Sequence, residues 1–274
     1  MKKLTIVSIK KIFKKREITA HKGDHGHALI VAGTAGRMGA AVIASKSCLR
    51  SGAGLLTVNI PEAHAIILQV AVPEAMLIFR KKNEDFSENF SAIGIGPAFG
   101  VGKEETSLLS YLLTSFKKPL LLDADALNII ATNKKLLAKI PADTILTPHP
   151  KEFDRLFGNH TSTAYRVTKA IQKSKEYNVV IVLKGYETLV AYRGESFINT
   201  TGNAGLAKAG SGDALTGIIT ALLAQGYDAF NAAKLGVFVH GLSADFALQN
   251  QSVESMLITD VIECLGKAFK YIDS

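Results

Sequence analysis

A glycine-rich stretch carries the strongest chemical signal in the sequence. It runs from residue 201 to residue 213 as TGNAGLAKAGSGD, and a segment of helical period follows it directly. Small residues let a phosphate approach the backbone, while the free N–H groups and positive dipole end of a helix N-terminus attract that anion. The sequence therefore predicts an anion hole at this helix start.

Asp213 stands at the same helix start. Its carboxylate could accept a proton from a substrate hydroxyl while the anion hole stabilises charge on a transferred phosphoryl group. The alternative is that Asp213 only caps the helix, a role worth about 1 kcal/mol. The Gly-Ser-Gly-Asp run by itself leaves both interpretations open.

Two further glycine-rich loops follow predicted strands. The first is AGTAGRMG at residues 32–39, and the second is GIGPAFG at residues 94–100. The second loop nearly matches the dinucleotide-binding fingerprint but is one residue too long, and the chain contains no P-loop motif. Several glycines in one loop leave backbone N–H groups open to an oxyanion, so we predict that both loops contact a ligand.

The elements that position these loops alternate along the chain. Predicted strands cover residues 28–32, 55–60, 76–79, 92–95, 120–123, 144–146 and 179–183. Predicted helices cover residues 39–51, 103–116, 126–131 and 164–176, and a hairpin over 188–199 precedes helices at 213–224, 229–248 and 258–271. This alternation implies a mostly parallel sheet covered on both faces, which binds ligands where its strands end.

Length and charge distribution limit the possible domain organisation. The chain has 274 residues, of which 47% are hydrophobic, enough for one large α/β domain. Its formal charge is +8, and seven positive charges precede the first acidic residue, Glu17. We therefore expect a solvated basic N-terminal arm over residues 1–16 and a single domain over residues 17–274.

Composition also excludes several classes of partner. No cluster of basic and aromatic residues beyond the arm resembles a nucleic-acid surface, and no apolar run reaches the roughly 18 residues of a membrane span. The two cysteines, Cys48 and Cys264, have no spacing typical of zinc ligands, which favours a reducing compartment. We expect a cytoplasmic protein that binds neither nucleic acid nor membranes.

Other motifs add a resemblance to a known family. Gly-Ser-Gly-Asp at a helix start resembles the ribokinase-like superfamily, whose aspartate activates the acceptor hydroxyl. Four further motifs are HKGDHGH at 21–27, LDADALN at 122–128, TPHPKE at 147–152 and LKG at 183–185. Together they resemble the ATP- or ADP-dependent NAD(P)H-hydrate dehydratase family over about residues 20–270. The resemblance implies a ribokinase-like three-layer α/β/α fold with a mostly parallel central sheet.

The resemblance also implies an activity. The family repairs the S-epimer of hydrated NADH or NADPH, called NAD(P)HX, returning NAD(P)H and releasing phosphate as a carbon–oxygen lyase. In that scheme Asp213 takes the hydroxyl proton, ATP or ADP supplies the phosphoryl group, and Mg²⁺ accompanies the nucleotide. A homo-oligomer and an NAD(P)HX epimerase on a separate polypeptide are further expectations.

Site residues follow from the resemblance position by position. The hydrated cofactor is expected to contact Ala40, Gly96, Gly100, His149 and Asp213. The nucleotide is expected to contact Lys184, Gly185, Tyr186, Glu187, Thr188, Asn203, Gly210 and Gly212. Mg²⁺ is expected near Glu152 and Asp123, through water. From the residues alone, Lys184 could instead be a surface lysine, and Asp123 and Asp125, one of which could bind Mg²⁺, could instead cap the helix that begins near Ala126.

The chain departs from the family pattern in a few places, and two other functions stay open. Lys151 and Ala98 stand where the family commonly has glycine, and Ser211 stands where it has threonine. A vitamin-precursor kinase of the same fold is one alternative, against which stands His149 in place of asparagine. A non-catalytic nucleotide-binding protein is the other, against which stands the intact Gly212-Asp213 pair.

Overall fold

The computed structural model describes residues 1–80, 90–160 and 162–274. Within these residues one sheet holds ten strands. They are β1 (Lys2–Lys3), β2 (His27–Val31), β3 (Leu55–Ile60), β4 (Met76–Phe79), β5 (Ala92–Ile95), β6 (Leu120–Leu122), β7 (Ile145–Leu146), β8 (Val180–Leu183), β9 (Leu189–Tyr192) and β10 (Glu195–Ile198). Their order across the sheet is β1-β10-β9-β8-β7-β6-β5-β2-β3-β4.

The sheet is parallel from β4 across to β8, and β9 runs antiparallel to both of its neighbours. Val31 at the end of β2 pairs with Ile95 at the end of β5, and Leu122 pairs with Leu146. The parallel strands therefore end at one edge of the sheet. Chain order reverses at β2, which lies between β3 and β5, and a reversal of this kind is where open α/β sheets bind ligands.

Helices cover both faces of this sheet. They are α1 (Ile6–Lys10), α2 (Met38–Arg50), α3 (Ala65–Ala71), α4 (Lys103–Ser115), α5 (Ala124–Thr132), α6 (Pro150–Phe157), α7 (Thr163–Glu176), α8 (Ser211–Ala224), α9 (Ala229–Ala247), α10 (Ile258–Glu263) and α11 (Leu265–Asp273). Alternate residues of β2 divide between two cores: Ile30 packs with α2, α8 and α9, whereas Leu29 packs with α4, α5 and α6. This period of two gives the expected three-layer α/β/α architecture.

Helix α8 is the most enclosed of the elements that reach the strand ends. All of its residues from Ala214 to Ala224 are buried, and it packs side by side with α2. A helix that is apolar on all sides must lie inside the protein. Only the first turn of α8, from Ser211 to Asp213, is partly exposed, so the rigid interior fixes that turn at the sheet edge.

The predicted strands are confirmed with small shifts of their ends, and the hairpin forms as predicted across Arg193 and Gly194. The single helix predicted over 258–271 is wrong, because the chain turns at Cys264 between α10 and α11. The turn sends Val261 and Cys264 into a small cluster with α9, while Leu265 packs in the large core. Helices α1, α3 and α6 and strand β1 were not predicted.

The N-terminal arm differs from the prediction. Strand β1 pairs with β10, Leu4 and Ile9 are 0% exposed, and the N–H of Lys14 donates to the Tyr227 hydroxyl at 2.9 Å. Residues 1–16 are therefore packed on the fold, because apolar side chains between the lysines outweigh the charge count. The domain division at residue 16 stays a prediction. Within the described ranges, no helix is long and apolar enough to cross a membrane.

Candidate active site

Lys184 lies at the centre of the polar residues at the strand ends. It follows β8, and its N–H donates to the carbonyl of Pro148 at 2.9 Å. Its ammonium lies 2.7 Å from Asp123 Oδ1 and 4.0 Å from Glu152 Oε2. The side chain is only 20% exposed, so the interpretation of Lys184 as a surface lysine is wrong. Burial opposes its charge, yet the two carboxylates outweigh burial and raise the pKa of Lys184.

Asp123 holds this lysine from the end of β6. Its Oδ1 accepts from Lys184, and its Oδ2 accepts from the Thr216 hydroxyl at 2.9 Å. Asp123 occupies the N-cap position of α5 but makes no side-chain cap hydrogen bond. The capping interpretation is therefore wrong, and the carboxylate instead joins β6, β8 and α8.

The first turn of α8 lies against this ion pair. A Cβ atom on Gly212 would lie 3.2 Å from Lys184 Nζ and 3.7 Å from Asp123 Oδ2, so the backbone approaches the pair more closely than a larger residue would allow. The N-cap residue of α8 is Gly210, and no described side chain caps this helix. The helix start therefore combines its positive dipole end with the Lys184 ammonium, which is a suitable arrangement for phosphate.

Asp213 occupies the same turn but does not cap the helix, since Gly210 holds the cap position. Burial, the Asp123 charge and the Asp125 charge together outweigh Lys184 and raise the pKa of Asp213 from 3.8 to about 6. A carboxylate of this pKa is ionised at neutral pH and is more basic than an ordinary aspartate. The arrangement places a proton acceptor beside an anion-binding helix start.

The loop at residues 94–100 packs against the start of α5. Gly96 has a φ of 137°, and a Cβ there would overlap the carbonyl of Asp123. The N–H of Gly100 donates to Asp125 Oδ2 at 2.9 Å, and the carbonyl of Pro97 accepts from Gly33 at 2.9 Å. These bonds join the two glycine-rich loops to each other and to Asp125.

His149 and Glu152 form a reciprocal cap at the start of α6. The Nδ1 of His149 accepts from the N–H groups of Lys151 and Glu152, and Glu152 Oε2 accepts from the N–H of His149 at 2.8 Å. Burial, followed by the charge of Lys184, lowers the pKa of His149, which is therefore neutral at pH 7. Because Nδ1 accepts, we assign the proton to Nε2, which lies 3.3 Å from Glu152 Oε1.

The described residues do not form a direct Mg²⁺ site. Both oxygens of Asp123 are hydrogen-bonded, Glu152 is engaged by His149, and no group of three His, Cys, Asp or Glu residues in the described ranges could hold a metal. Mg²⁺ binding through water at these residues stays a prediction. A bound ion would have to take most of its ligands from phosphate and water.

The other predicted ligand contacts lie in three places around this cluster. Ala40 is half-buried in the first turn of α2. Gly185, Tyr186 and Glu187 form an exposed loop between β8 and β9, and the Thr188 hydroxyl donates to the Gly185 carbonyl at 3.2 Å. Asn203 donates to Asp245 at 3.1 Å and accepts from the N–H of Gly205, so its side chain shapes the backbone ahead of α8.

Comparison with known proteins places this site in a family. A family model described as NAD(P)H-hydrate dehydratase matches residues 28–267, most of the described chain. The ADP-dependent (S)-NAD(P)H-hydrate dehydratase of Neisseria meningitidis is 37% identical over 92% of this chain and 87% of that protein.

The chain belongs to the NAD(P)H-hydrate dehydratase family.

Solved structures agree with this assignment. An ADP/ATP-dependent NAD(P)H-hydrate dehydratase from Bacillus subtilis, co-crystallised with ATP and Mg²⁺, superposes with a TM-score of 0.90 at 30% identity, covering 99% of this chain and 98% of that one. A ribokinase-like superfamily protein from Enterococcus faecalis gives 0.89 at 26% identity, covering 99% and 96%. The fold is therefore ribokinase-like.

The family also contains longer proteins. The chain spans about half the length of the bifunctional NAD(P)H-hydrate repair enzymes of Moorella thermoacetica and Thermofilum pendens, 52% of each, at 34% and 33% identity over 94% and 93% of this chain. The match within those proteins is therefore to one part of a larger polypeptide.

The structure of this dehydratase-family member also reveals residues that sequence analysis missed. Thr216 lies one turn after Asp213 on α8 and holds Asp123, a spacing that could have been noticed from the helical period. Arg80, at the end of β4, donates to backbone carbonyls of both glycine-rich loops. No local pattern marks Arg80, because its partners lie 19 and 48 residues away in the chain.

Proposed function

We propose that this chain catalyses the nucleotide-dependent dehydration of the S-epimer of NAD(P)HX to NAD(P)H, with release of phosphate. The observation that carries the proposal is the placement of Asp213, with a pKa of about 6, beside Lys184 at the uncapped start of α8. The names of the Neisseria meningitidis and Bacillus subtilis relatives support the same activity and substrate.

The chemistry begins with the hydroxyl group on the hydrated nicotinamide ring. Asp213 accepts the hydroxyl proton while the oxygen attacks the terminal phosphoryl group of ATP or ADP. A positioned general base contributes about 10²- to 10⁴-fold to the rate. Lys184 and the N–H groups of the α8 start stabilise the charge on the transferred group, and loss of one such donor typically costs about 10²- to 10³-fold.

Phosphorylation converts a poor leaving group into a good one. The lone pair of the ring nitrogen then expels phosphate from the neighbouring carbon, and loss of a proton from the next carbon restores the dihydropyridine double bond. The products are NAD(P)H, inorganic phosphate and the shortened nucleotide. No stable phosphorylated organic product is expected to accumulate.

The two ligands would occupy opposite sides of the Lys184 and Asp123 pair. The hydrated cofactor would lie between Ala40, Gly96–Gly100 and His149, with its hydroxyl facing Asp213. The nucleotide would lie along residues 184–188 with its phosphates at Gly210 and Gly212, and Asn203 would shape its binding loop. Glu152 and Asp123 would contact Mg²⁺ through water if the ion enters with the nucleotide.

Assembly, location and partners complete the proposal. We expect a homo-oligomer in the cytoplasm, working with an NAD(P)HX epimerase that converts the other epimer into substrate. The bifunctional names of the longer relatives are consistent with such a pairing. Whether ATP or ADP is the better donor is decided by measuring kcat/KM for both nucleotides.

A single assay tests the main proposal against a kinase. Purified protein, Mg²⁺, hydrated NADH and either nucleotide are mixed, and reduced-nicotinamide absorbance and free phosphate are followed together. We expect one phosphate per cofactor restored, with no persistent phosphomonoester signal in the phosphorus NMR spectrum. Accumulation of a phosphomonoester with little free phosphate would favour the kinase instead.

A further inference from the structure

Arg80 occupies the junction of two loops and strand β3 at the end of the sheet where we place the ligands. Its side chain is 11% exposed, and it follows the edge strand β4. It donates from Nε to Asn59 Oδ1 at 3.2 Å, from Nη1 to the Phe99 carbonyl at 3.1 Å, and from Nη2 to the carbonyls of Ala32 at 3.0 Å and Asn59 at 3.3 Å. The loops after β2 and β5 and the end of strand β3 therefore meet at one guanidinium.

The Arg80 guanidinium also binds the backbone on both sides of the hydrogen bond that joins the two glycine-rich loops. The loops are joined by the bond from the Gly33 N–H to the Pro97 carbonyl, 2.9 Å long. Ala32 directly precedes Gly33, and Phe99 follows Pro97 by two residues. Arg80 binds the carbonyl on each side of this connection and stacks on the Phe99 ring at 4.7 Å. Its planar fork of donors suits this role better than a lysine ammonium would.

One peptide group links Arg80 to the carboxylates of the site. The carbonyl of the Phe99–Gly100 peptide accepts from Arg80, and the N–H of the same peptide donates to Asp125 Oδ2 at 2.9 Å. The guanidinium and the carboxylate polarise this peptide in the same direction, which strengthens both bonds. The negative charge of Asp125 in turn acts on Asp213. Arg80 therefore helps to fix the position of Asp125.

The described part of the chain gives Arg80 only weak charge compensation. Among the described residues, the nearest carboxylate is that of Glu105, 4.0 Å from Nη1, and the four hydrogen bonds named above go to uncharged oxygens. Burial lowers the pKa of Arg80 to about 10, so it remains protonated at neutral pH. A buried cation held mainly by uncharged oxygens is unfavourable unless the backbone geometry that it fixes is needed.

We propose that Arg80 is a positioning residue for the hydrated cofactor, holding the loop at 94–100 and the loop before α2 in one arrangement. The inference rests on the proposed function, since it names the ligand that these loops receive. Arg80 would not touch the substrate. Its loss would therefore weaken substrate binding through the loops, while the nucleotide side, formed by Lys184 and α8, would keep its geometry.

Arg80→Met and Arg80→Lys test this role. We expect Arg80→Met to raise KM for NAD(P)HX by roughly tenfold or more while KM for the nucleotide changes by less than about twofold. Arg80→Lys keeps the positive charge but loses the planar set of guanidinium donors. Its KM for NAD(P)HX should therefore lie between those of wild type and Arg80→Met. Equal changes in both KM values, or no change in either, would overturn the proposal.

Arg166→Met is the matched control, because Arg166 on α7 donates to Asp154 at 2.7 Å and to the His160 carbonyl rather than to the glycine-rich loops. It also removes a partly buried arginine with several hydrogen bonds. Thermal unfolding of all variants separates lost stability from altered binding. We expect Arg166→Met to lower the unfolding temperature without splitting the two KM values.

Amide hydrogen exchange supplies a readout that needs no substrate. In Arg80→Met, or in Arg80→Lys if the first variant does not fold, exchange at Gly33 and Gly100 should accelerate by roughly tenfold or more, while exchange at Lys184 stays at the wild-type rate. Unchanged exchange at Gly33 and Gly100 would refute the positioning role. If the wild-type protein shows no repair activity, by contrast, the proposed function is refuted. The exchange experiment still tests the positioning role, because it needs no substrate.

Discussion

The ammonium of Lys184 lies 2.7 Å from the carboxylate of Asp123, directly beside the backbone of Gly212. The pair is nearly neutral as a unit, so the buried lysine is held in place before any ligand arrives. When phosphate approaches the start of α8, Lys184 can share its donors with it, because an ammonium has three. In the proposed function, the pair would thus keep the cation that binds phosphate in position without a separate rearrangement.

Asp213→Asn should separate chemistry from folding. Since Asp213 does not cap α8 and burial disfavours its charge, we expect stability at neutral pH equal to or above that of wild type, near-normal ligand binding, and a fall in kcat of at least about 10²-fold. Asp228→Asn is the matched control, because Asp228 caps α9 and asparagine caps equally well. It should retain wild-type turnover. Wild-type turnover in Asp213→Asn would remove this residue from the role of base.

The pH dependence of activity should report Asp213. Its raised pKa of about 6 means that the carboxylate required for proton acceptance becomes protonated below that pH. We expect kcat/KM to fall about tenfold per pH unit below an inflection near pH 6. The measurement is a pH profile at limiting NAD(P)HX. An acidic limb near pH 4 would show that the base is an ordinary exposed carboxylate.

The raised pKa of Asp213 also predicts how the stability of the fold depends on pH. Because the folded-state pKa lies above the unfolded value, the folded protein binds this proton more tightly, and the associated stabilisation is present at low pH and lost as pH rises through about 6. Urea unfolding across this range should therefore show a contribution that Asp213→Asn removes. An identical pH dependence in both proteins would contradict the raised pKa.

Removing Lys184 should cost both stability and activity. Lys184→Met leaves the buried Asp123 carboxylate without its cation, and we expect a loss of about 3 to 5 kcal/mol. Lys184→Met combined with Asp123→Asn should recover much of the stability, because asparagine carries no charge, but none of the activity. The measurement is chemical unfolding of the two single variants and the double variant. Simple additivity of the two losses would argue against direct coupling.

Ala98 offers a test of backbone strain in the loop at 94–100. Its φ of 46° is in the left-handed region, which costs a residue with a Cβ roughly 1 to 2 kcal/mol. Ala98→Gly removes that cost but adds freedom to the unfolded chain, so we expect a net gain between about 0 and 1 kcal/mol. Ala131→Gly in α5 is the control and should lose about 1 kcal/mol. A clear loss of unfolding free energy in Ala98→Gly would show that the backbone at Ala98 is not strained.

The N-terminal segment should matter for stability. Ile9 is the fully buried residue of α1, so Ile9→Ala is expected to cost about 2 to 4 kcal/mol while leaving kcat near wild type. Lys11→Ala, at an exposed position in the same segment, should change stability by less than about 0.5 kcal/mol. Thermal or urea unfolding measures both. Equal stability of the two variants would mean that this segment is not packed on the fold in solution.

Local patterns determined much of this protein. The apolar runs that became β2 to β8 are recognisable because a parallel strand buried on both faces is apolar throughout its length. Asp213 and the three glycine-rich loops were recognisable because turns and helix starts have their own residue preferences. The positive charge of residues 1–16 was also recognisable, but it led to the expectation of a solvated arm. Leu4 and Ile9 of this segment are buried, and a count of charges does not reveal which side chains face the core.

Tertiary structure decided which of these residues meet. Asp123 and Lys184 are 61 residues apart and come together only because β6, β7 and β8 are adjacent in the sheet. Arg80 reaches both glycine-rich loops because β4, β3, β2 and β5 are ordered side by side. Periodicity and turn preferences act over a few residues, whereas strand order depends on long-range pairing and burial, which no short stretch of sequence specifies.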